Sequence, residues 1–435
     1  NQTVSVLKVN VEVYEDDMVV TAILKTLDGQ LITGNVTLEI NTKFYKIVVV
    51  DGIGVRSIEK PSVGKYTYSA TYKGTDKISR AVDTGVFEVL PVDYNVILNA
   101  PDVKMIYHDG TRFVATLTDK QGNPIGGAAI EITINGRSYD KITDEKGGVS
   151  LGLNLDSGIY SVVVKFKGLP NYTPITKHAN VTIEPTVKGL DVVKMFRNST
   201  QYYAIFTDSQ GNFLKNKNVQ FNINGVFYTK TTNDKGIAMM GINLNPGKYI
   251  ITAKNLVTGE QSSNIITVKS LIVQKDLTKY YLNASRFEAT IYNKDGSLAV
   301  NKEVTFNING VFYHRTTDSN GVASLGISLR PGEYIITTMF DGLAIGNKVS
   351  VLPTLVTKNL NMKYLDGSSF TAQTLDGQGK PLANQNVSFN VNGVFYYKVT
   401  DNNGMAKLNI RLMPGEYIIT SCWNNFQTGN TIRIF

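Results

Sequence analysis

An amine and a carboxamide recur at matched places along this chain. Lys194, Lys279 and Lys363 each open one alternating apolar segment, and Asn264, Asn347 and Asn430 each open another near the end of the same copy. A lysine and an asparagine held side by side in an apolar interior can condense to an isopeptide bond with loss of ammonia. The chemistry also needs a buried acid with a raised pKa to manage the protons. No Asp or Glu stands at a core-facing position shared by these three copies. The plainer reading is therefore a surface lysine and a strand-opening asparagine, the ordinary location of both residue types. Elsewhere the pair decays: Ala179 takes the asparagine register opposite Lys104, and Val13 and Gly85 occupy both places in the first copy. Intact mass separates the readings, because each bond removes one ammonia.

Carboxylates recur in turns of the form Asp/Asn-x-x-Gly. They run from Asp144 to Gly147, Asn233 to Gly236, Asp318 to Gly321 and Asp401 to Gly404, with further instances opening at Asp119, Asp208 and Asp376. Calcium needs six to eight oxygens, usually from several carboxylates. Each turn offers one acid, or two at most, and Lys120, Lys146, Lys235 and Lys294 sit inside such loops. Asp at the first position and Gly at the fourth is ordinary type I turn chemistry, and that is the expectation here.

Nucleophilic catalysis finds no support. The histidines, His108, His178 and His314, fall at unrelated places in the repeat, and His178 lies in what reads as a loop. Cys422 is the only cysteine, so no intrachain disulfide is available and no histidine partner is placed beside it by spacing. No phosphate-binding loop, dinucleotide fingerprint or Gly-x-Ser-x-Gly elbow occurs. The chain reads as a non-enzyme without a cofactor.

Four phenylalanines recur one residue before a tyrosine: Phe44, Phe227, Phe312 and Phe395. By alternation they face away from the core. A loop or a neighbouring domain could cover them, or they could form an exposed contact strip for a partner. Ser138 interrupts the series in the second copy. Seven Asn-x-Ser/Thr sequons, at Asn1, Asn35, Asn171, Asn180, Asn198, Asn283 and Asn386, fit an exported surface.

What positions these residues is an internal repeat. FNINGVFYTKTTNDKGIAMMGINLNPGKYIIT from Phe221, FNINGVFYHRTTDSNGVASLGISLRPGEYIIT from Phe306 and FNVNGVFYYKVTDNNGMAKLNIRLMPGEYIIT from Phe389 are near copies. Weaker ones begin at Glu131 and Leu38. Five units in 435 residues give a period of about 87, too long for a solenoid and close to a small sandwich domain. Within a unit, Phe221 and Ile223 alternate with polar residues, and Asn224-Gly225 predicts a type I′ hairpin pairing Phe221 with Tyr228. Ile242-Asn243-Leu244 reads as a strand and Pro246-Gly247 as a type II turn. Tyr249, matched by Tyr66, Tyr160, Tyr334 and Tyr417, resembles a tyrosine corner. The unit closes on a short strand, Ile266-Thr267-Val268, for about seven strands in all.

Charge adds little. The net charge is +8 from 44 basic and 36 acidic residues, with no basic run to bind nucleic acid, and no apolar run is long enough to span a membrane. A start at Asn1 without Met reads as a segment of something larger.

The stretch Thr317-Asp318-x-x-Gly321-x-Ala323 with Leu325, Leu329, Pro331-Gly332 and Tyr334 resembles bacterial-type Ig-like domains. Whole copies resemble the tandem Ig-like repeats of adhesin-like surface proteins of methanogenic archaea. The first copy departs, lacking Asn-Gly and carrying Ser62-Val63-Gly64 for Pro-Gly. The resemblance implies extracellular display at a cell surface and attachment rather than a reaction. The expectation is thus an all-β chain of five tandem Ig-like β-sandwich domains, residues 1–92, 93–186, 187–270, 271–353 and 354–435, forming an extended rod. It would be a monomeric adhesin segment or stalk whose partner is a host or partner-cell surface protein or glycan. A passive spacer and the accessory array of a larger secreted enzyme stay open beside it.

Overall fold

Strands in this protein follow the alternation of the sequence closely. A computed structural model describes residues 2–435, in which every regular element is a strand. Among the described residues, thirty-nine strands form ten sheets, grouped along the sequence as five pairs. By internal packing the chain divides into two compact units. One comprises Asn1–Leu190, Tyr203–Met240 and Ile251–Ser263; the other comprises Asp191–Tyr202, Gly241–Ile250 and Asn264–Phe435.

In the first unit, the opening sandwich sets Ser5–Val13, Asp17–Thr26 and Ile53–Glu59 against a four-stranded sheet. The first copy lacks Asn-Gly, yet Asn41 and Thr42 take φ values of 47° and 65° and close the same two-residue hairpin. The second sandwich faces a three-stranded sheet with a five-stranded one. Its last strand, Ile175–Glu184, buries Ile175, Ala179, Val181 and Ile183, so His178 lies on a strand and not in a loop. The short strand Val103–Ile106 runs parallel to it, pairing Val103 with Val181 and Ile106 with Glu184.

The second unit shows the repeat at its clearest. In the fourth repeat Ile272–Gln274, Arg286–Ile291 and Val322–Gly326 form the small sheet. The large sheet is ordered Leu277–Tyr280, Leu343–Leu352, Gly332–Phe340, Glu303–Ile308 and Val311–Thr316. Phe287 and Phe306, one from each sheet, meet edge to face with ring centroids 6.0 Å apart. Phe370 and Phe389 repeat the contact at 5.8 Å in the fifth repeat. Each such pair adds about 0.5–1.5 kcal/mol beyond its burial.

Three local expectations change. Each of the four later repeats has eight strands, because the opening strand breaks and its two halves join opposite sheets. The strand placed at Ile242 instead ends at Gly241, and the closing strand is the longer Gln261–Lys269. Gly247 has φ 157°, not the value near +80° of a type II turn. A Cβ built on Gly247 would meet the Tyr249 hydroxyl at 3.3 Å, so glycine leaves room for the ring. That hydroxyl donates to the Asn245 carbonyl at 2.7 Å, and Tyr66, Tyr160, Tyr334 and Tyr417 make the same bond four residues back.

Candidate functional site

The Asn-Gly hairpin decides where the recurrent aromatics point. Asn224 and Gly225 take φ 52° and 74°, and Asn392 and Gly393 take 52° and 79°. The register then pairs Phe221 with Tyr228 and Asn222 with Phe227, as it pairs Phe389 with Tyr396 and Asn390 with Phe395. Phe221, Phe306 and Phe389 are buried. Phe44, Phe227, Phe312 and Phe395 are 67%, 61%, 59% and 59% exposed. Alternation with the outward phenylalanines predicts the neighbouring tyrosines inside, yet Tyr228 and Tyr396 are exposed as well. Their strands are the outer edge of each five-stranded sheet.

In the fifth repeat the whole edge strand Val394–Val399 is exposed. Each such strand carries a base at its fifth position: Lys141, Lys230, Arg315 and Lys398. A charged lysine or arginine on an open edge discourages unwanted strand pairing. Inward from each phenylalanine, on the next strands of the sheet, lie polar neighbours. Asn307 pairs with both Phe312 and Thr337, and Asn390 with both Phe395 and Thr420. The surface is an aromatic ring flanked by amide and hydroxyl groups, suited to stacking and hydrogen bonding and not to bond making.

The lysine–asparagine pairs do not come together. Lys194 and Lys279 are only 5% exposed. Their ammonium groups donate to the carbonyls of Ile242 and Ile327, each at 2.7 Å, and of Thr200 and Ser285, each at 3.3 Å. Burial pushes the pKa of both amines down. Asn264 and Asn347 donate instead to Asp191 and Asp276, at 3.1 and 2.7 Å, and Asn430 donates to Asn359 at 3.1 Å. The strand register explains the miss. Lys194 lies opposite Val268 and Lys279 opposite Val351, four residues beyond the asparagine.

Lys363 lies one residue past the position that Lys194 and Lys279 occupy. Met362 pairs with Ile434 and is the buried counterpart of Lys194 and Lys279, while Lys363 is exposed. Met105 fills that place in the second repeat, and Lys104 points outward.

The turn carboxylates are occupied by their own backbone. Asp318 Oδ1 accepts the amides of Asn320 and Val322 at 2.8 and 2.9 Å, and Asp401 those of Asn403 and Met405. The Met405 amide holds the Asp401 carboxyl below its usual range. Among the described residues, no three His, Cys, Asp or Glu side chains gather as a metal site.

A feature the sequence did not announce lies within the first unit. The segment Tyr14–Asp17 meets the strand Ile175–Glu184. Lys177 pairs with Glu15 at 3.2 Å and with Asp16. His178 Nδ1 lies 3.4 Å from Asp17, its Nε2 lies 2.5 Å from the Ser161 hydroxyl, and Tyr14 stacks on the ring. Burial raises the Asp17 pKa but the bonds from His178 and Ser57 outweigh it, and the carboxyl ends below its usual value. Lys177 and His178 carried no motif, so only the fold could bring them to the acidic turn.

Within the second unit, a different contact recurs. Asn198 Nδ2 donates to the Lys294 carbonyl at 2.9 Å and Asn283 Nδ2 to the Gly377 carbonyl at 2.7 Å. Both asparagines belong to sequons, whereas Asn35, Asn171 and Asn386 are exposed. The sequon at Asn1 lies outside the described residues. His314 is exposed beside Glu303, His108 stacks on Tyr107, and Cys422 is half-buried on Gly415–Trp423.

No family model matches the chain. It is 21% identical over 417 residues to the inverse autotransporter adhesin YeeJ of Escherichia coli strain K12. That alignment covers 80% of this chain and spans 17% of the length of that relative. Among solved structures, a Ca2+-stabilised adhesin with which an Antarctic bacterium binds ice matches at 16% identity and TM-score 0.18, covering 81% of this chain and 99% of the other. The I9–I11 tandem of titin matches at 15% identity and TM-score 0.24, covering 57% and 98%. At those scores nothing about function follows. The chain is all-β, built of repeated sandwiches, and similar in sequence to an adhesin.

Proposed function

We propose that this chain is an attachment segment of a cell-surface adhesin, in which the aromatic edge strands of successive repeats touch a protein or glycan on a partner cell or host. Five separately cored domains, bounded as the sequence repeat suggests and arranged end to end, are part of this reading. The observation that carries it is the exposure of Phe44, Phe227, Phe312 and Phe395 at one register, on a chain similar to an adhesin over most of its length. Phe44, Phe227, Phe312 and Phe395 would give a partner the same apolar foothold in four of the repeats. The partner's chemistry would be a flat apolar face with hydroxyl or amide groups at its rim.

The test is binding of the full chain to a glycan array and to a panel of cell surfaces. It is compared with a triple variant, Phe227→Ser, Phe312→Ser and Phe395→Ser. Loss of binding in the variant supports contact through the edges. Binding that survives all three substitutions removes the edges as the contact surface. A passive spacer is the second reading, favoured by the bases that guard each edge, and it expects no binding from either protein.

A further inference from the structure

Lysine is a costly residue to bury. Taking an ammonium out of water is repaid only when its donors are all met in good geometry. Lys194 and Lys279 are buried without any carboxylate, held by two backbone carbonyls each. The same place holds Met105 and Met362 in the repeats on either side. A methionine there packs as core at no electrostatic cost, so the two lysines need a reason beyond packing.

Their position supplies one. In the fourth repeat, Lys279 sits on Leu277–Tyr280, the short strand that runs parallel to the closing strand Leu343–Leu352. Tyr281 extends that pairing by donating its amide to the Leu352 carbonyl at 2.8 Å. The chain enters the sandwich through Ile272–Gln274, which pairs with Arg286–Ile291 in the opposite sheet, runs on into Leu277–Tyr280, and leaves just after Leu343–Leu352. Tension between the two ends therefore slides parallel strands along each other, and the bonds between them share the load. Lys279 reaches from this strand across the interior. Ser285 and Ile327 lie at the ends of Arg286–Ile291 and Val322–Gly326, both in the opposite sheet. A slip of one residue, about 3.3 Å, would pull the ammonium off both carbonyls while it is still buried. In the third repeat Lys194 lies on Val192–Met195, parallel to Gln261–Lys269, with Ile242 and Thr200 as acceptors.

We infer that Lys194 and Lys279 are tension pins: each locks the second half of its sandwich's broken opening strand, the half that runs parallel to the closing strand, to the opposite sheet, making repeats three and four the last to yield when the chain is pulled from its ends. The pin acts on the barrier rather than on the equilibrium. Replacing a buried charge by a well-packed apolar residue is often neutral or stabilising at equilibrium. Forced unfolding follows the unfolding rate instead. Hydrogen bonds to charged groups are the stronger kind, and losing them at the transition state speeds unfolding under a fixed load by about 10- to 100-fold.

The experiment stretches the full chain by its two ends in single-molecule force spectroscopy. Each repeat that unfolds should release roughly 28 nm of chain at the extended-backbone limit. The parent protein should show two events at higher force than the rest. Lys279→Met should lower one of them, and Lys194→Met with Lys279→Met should lower both to the common level. Methionine is already native at this position in two repeats, so the variants fold. Denaturant midpoints of the same proteins should stay where they were or rise. Two high-force events that persist in the double variant overturn the inference. So does a fall in equilibrium stability large enough to account for the lower force. The reading is mechanical and independent of attachment: force traces and cell binding can succeed or fail separately.

Discussion

Tyr280 lies so close to Gly379 that a Cβ built on that glycine would come within 2.3 Å of the tyrosine hydroxyl. Gly379 has φ 81° and closes the turn that begins at Asp376, whose Oδ1 accepts the Gln378 and Lys380 amides. The glycine therefore answers two demands, a left-handed backbone and room for a ring. Gly393, at φ 79°, answers only the first, because nothing lies within 4 Å of its built Cβ. Gly393→Ala should cost about 1–2 kcal/mol, the ordinary penalty of that backbone region. Gly379→Ala should cost at least as much and should also displace Tyr280. Hydrogen exchange reads the difference: amides around 280–285 speed up in Gly379→Ala and stay unchanged in Gly393→Ala.

Thr42 carries the opposite lesson. A β-branched residue at φ 65° is strained, and the four other hairpins use glycine at this place. Thr42→Gly should stabilise the first sandwich by about 1 kcal/mol, less the entropy that glycine adds to the unfolded chain. An upward shift of the thermal transition assigned to that sandwich checks it; no shift or a downward one contradicts it.

Acid should loosen the contact at Asp17. Its folded pKa is depressed, so its contribution is present above the unfolded value near 3.9 and is lost as pH falls through the lower folded value. Stability of the first sandwich should therefore fall below about pH 4. Asp17→Asn should flatten that part of the profile. A pH titration of denaturant midpoints, with the parent and variant side by side, measures the slope; identical slopes would remove Asp17 from the account.

The tyrosine corner is worth one hydrogen bond. Tyr334→Phe keeps the ring and removes the donor to the Arg330 carbonyl, bonded at 2.7 Å. A loss of about 1 kcal/mol is expected in the fourth repeat, since an unmet carbonyl near water is cheap to rehydrate.

Much of this was legible because each device is local. Asn-Gly, the Asp-x-x-Gly turns and the tyrosine four residues beyond a carbonyl all carry their partners within a few positions. Alternation alone places Phe221 inside and Phe227 outside, as they are. What was not legible depends on register between distant strands. In sequence, Lys363 and Lys279 are each followed by a tyrosine and look equivalent. Only the pairing of Met362 with Ile434 and of Lys279 with Val351 fixes the frame. A buried lysine bonded to carbonyls leaves no trace in composition, and neither does the meeting of His178 with Asp17.

Calorimetry of the whole chain tests most directly the idea that the repeats are separate sandwiches with separate interiors. At about 0.7 kcal/mol per residue, each repeat should melt with roughly 60 kcal/mol and the whole chain with about five times that. The total heat should exceed the van't Hoff enthalpy of any single transition several-fold, with more than one transition resolved. A single transition whose van't Hoff and calorimetric enthalpies agree at the full value would mean one cooperative body, and would contradict it.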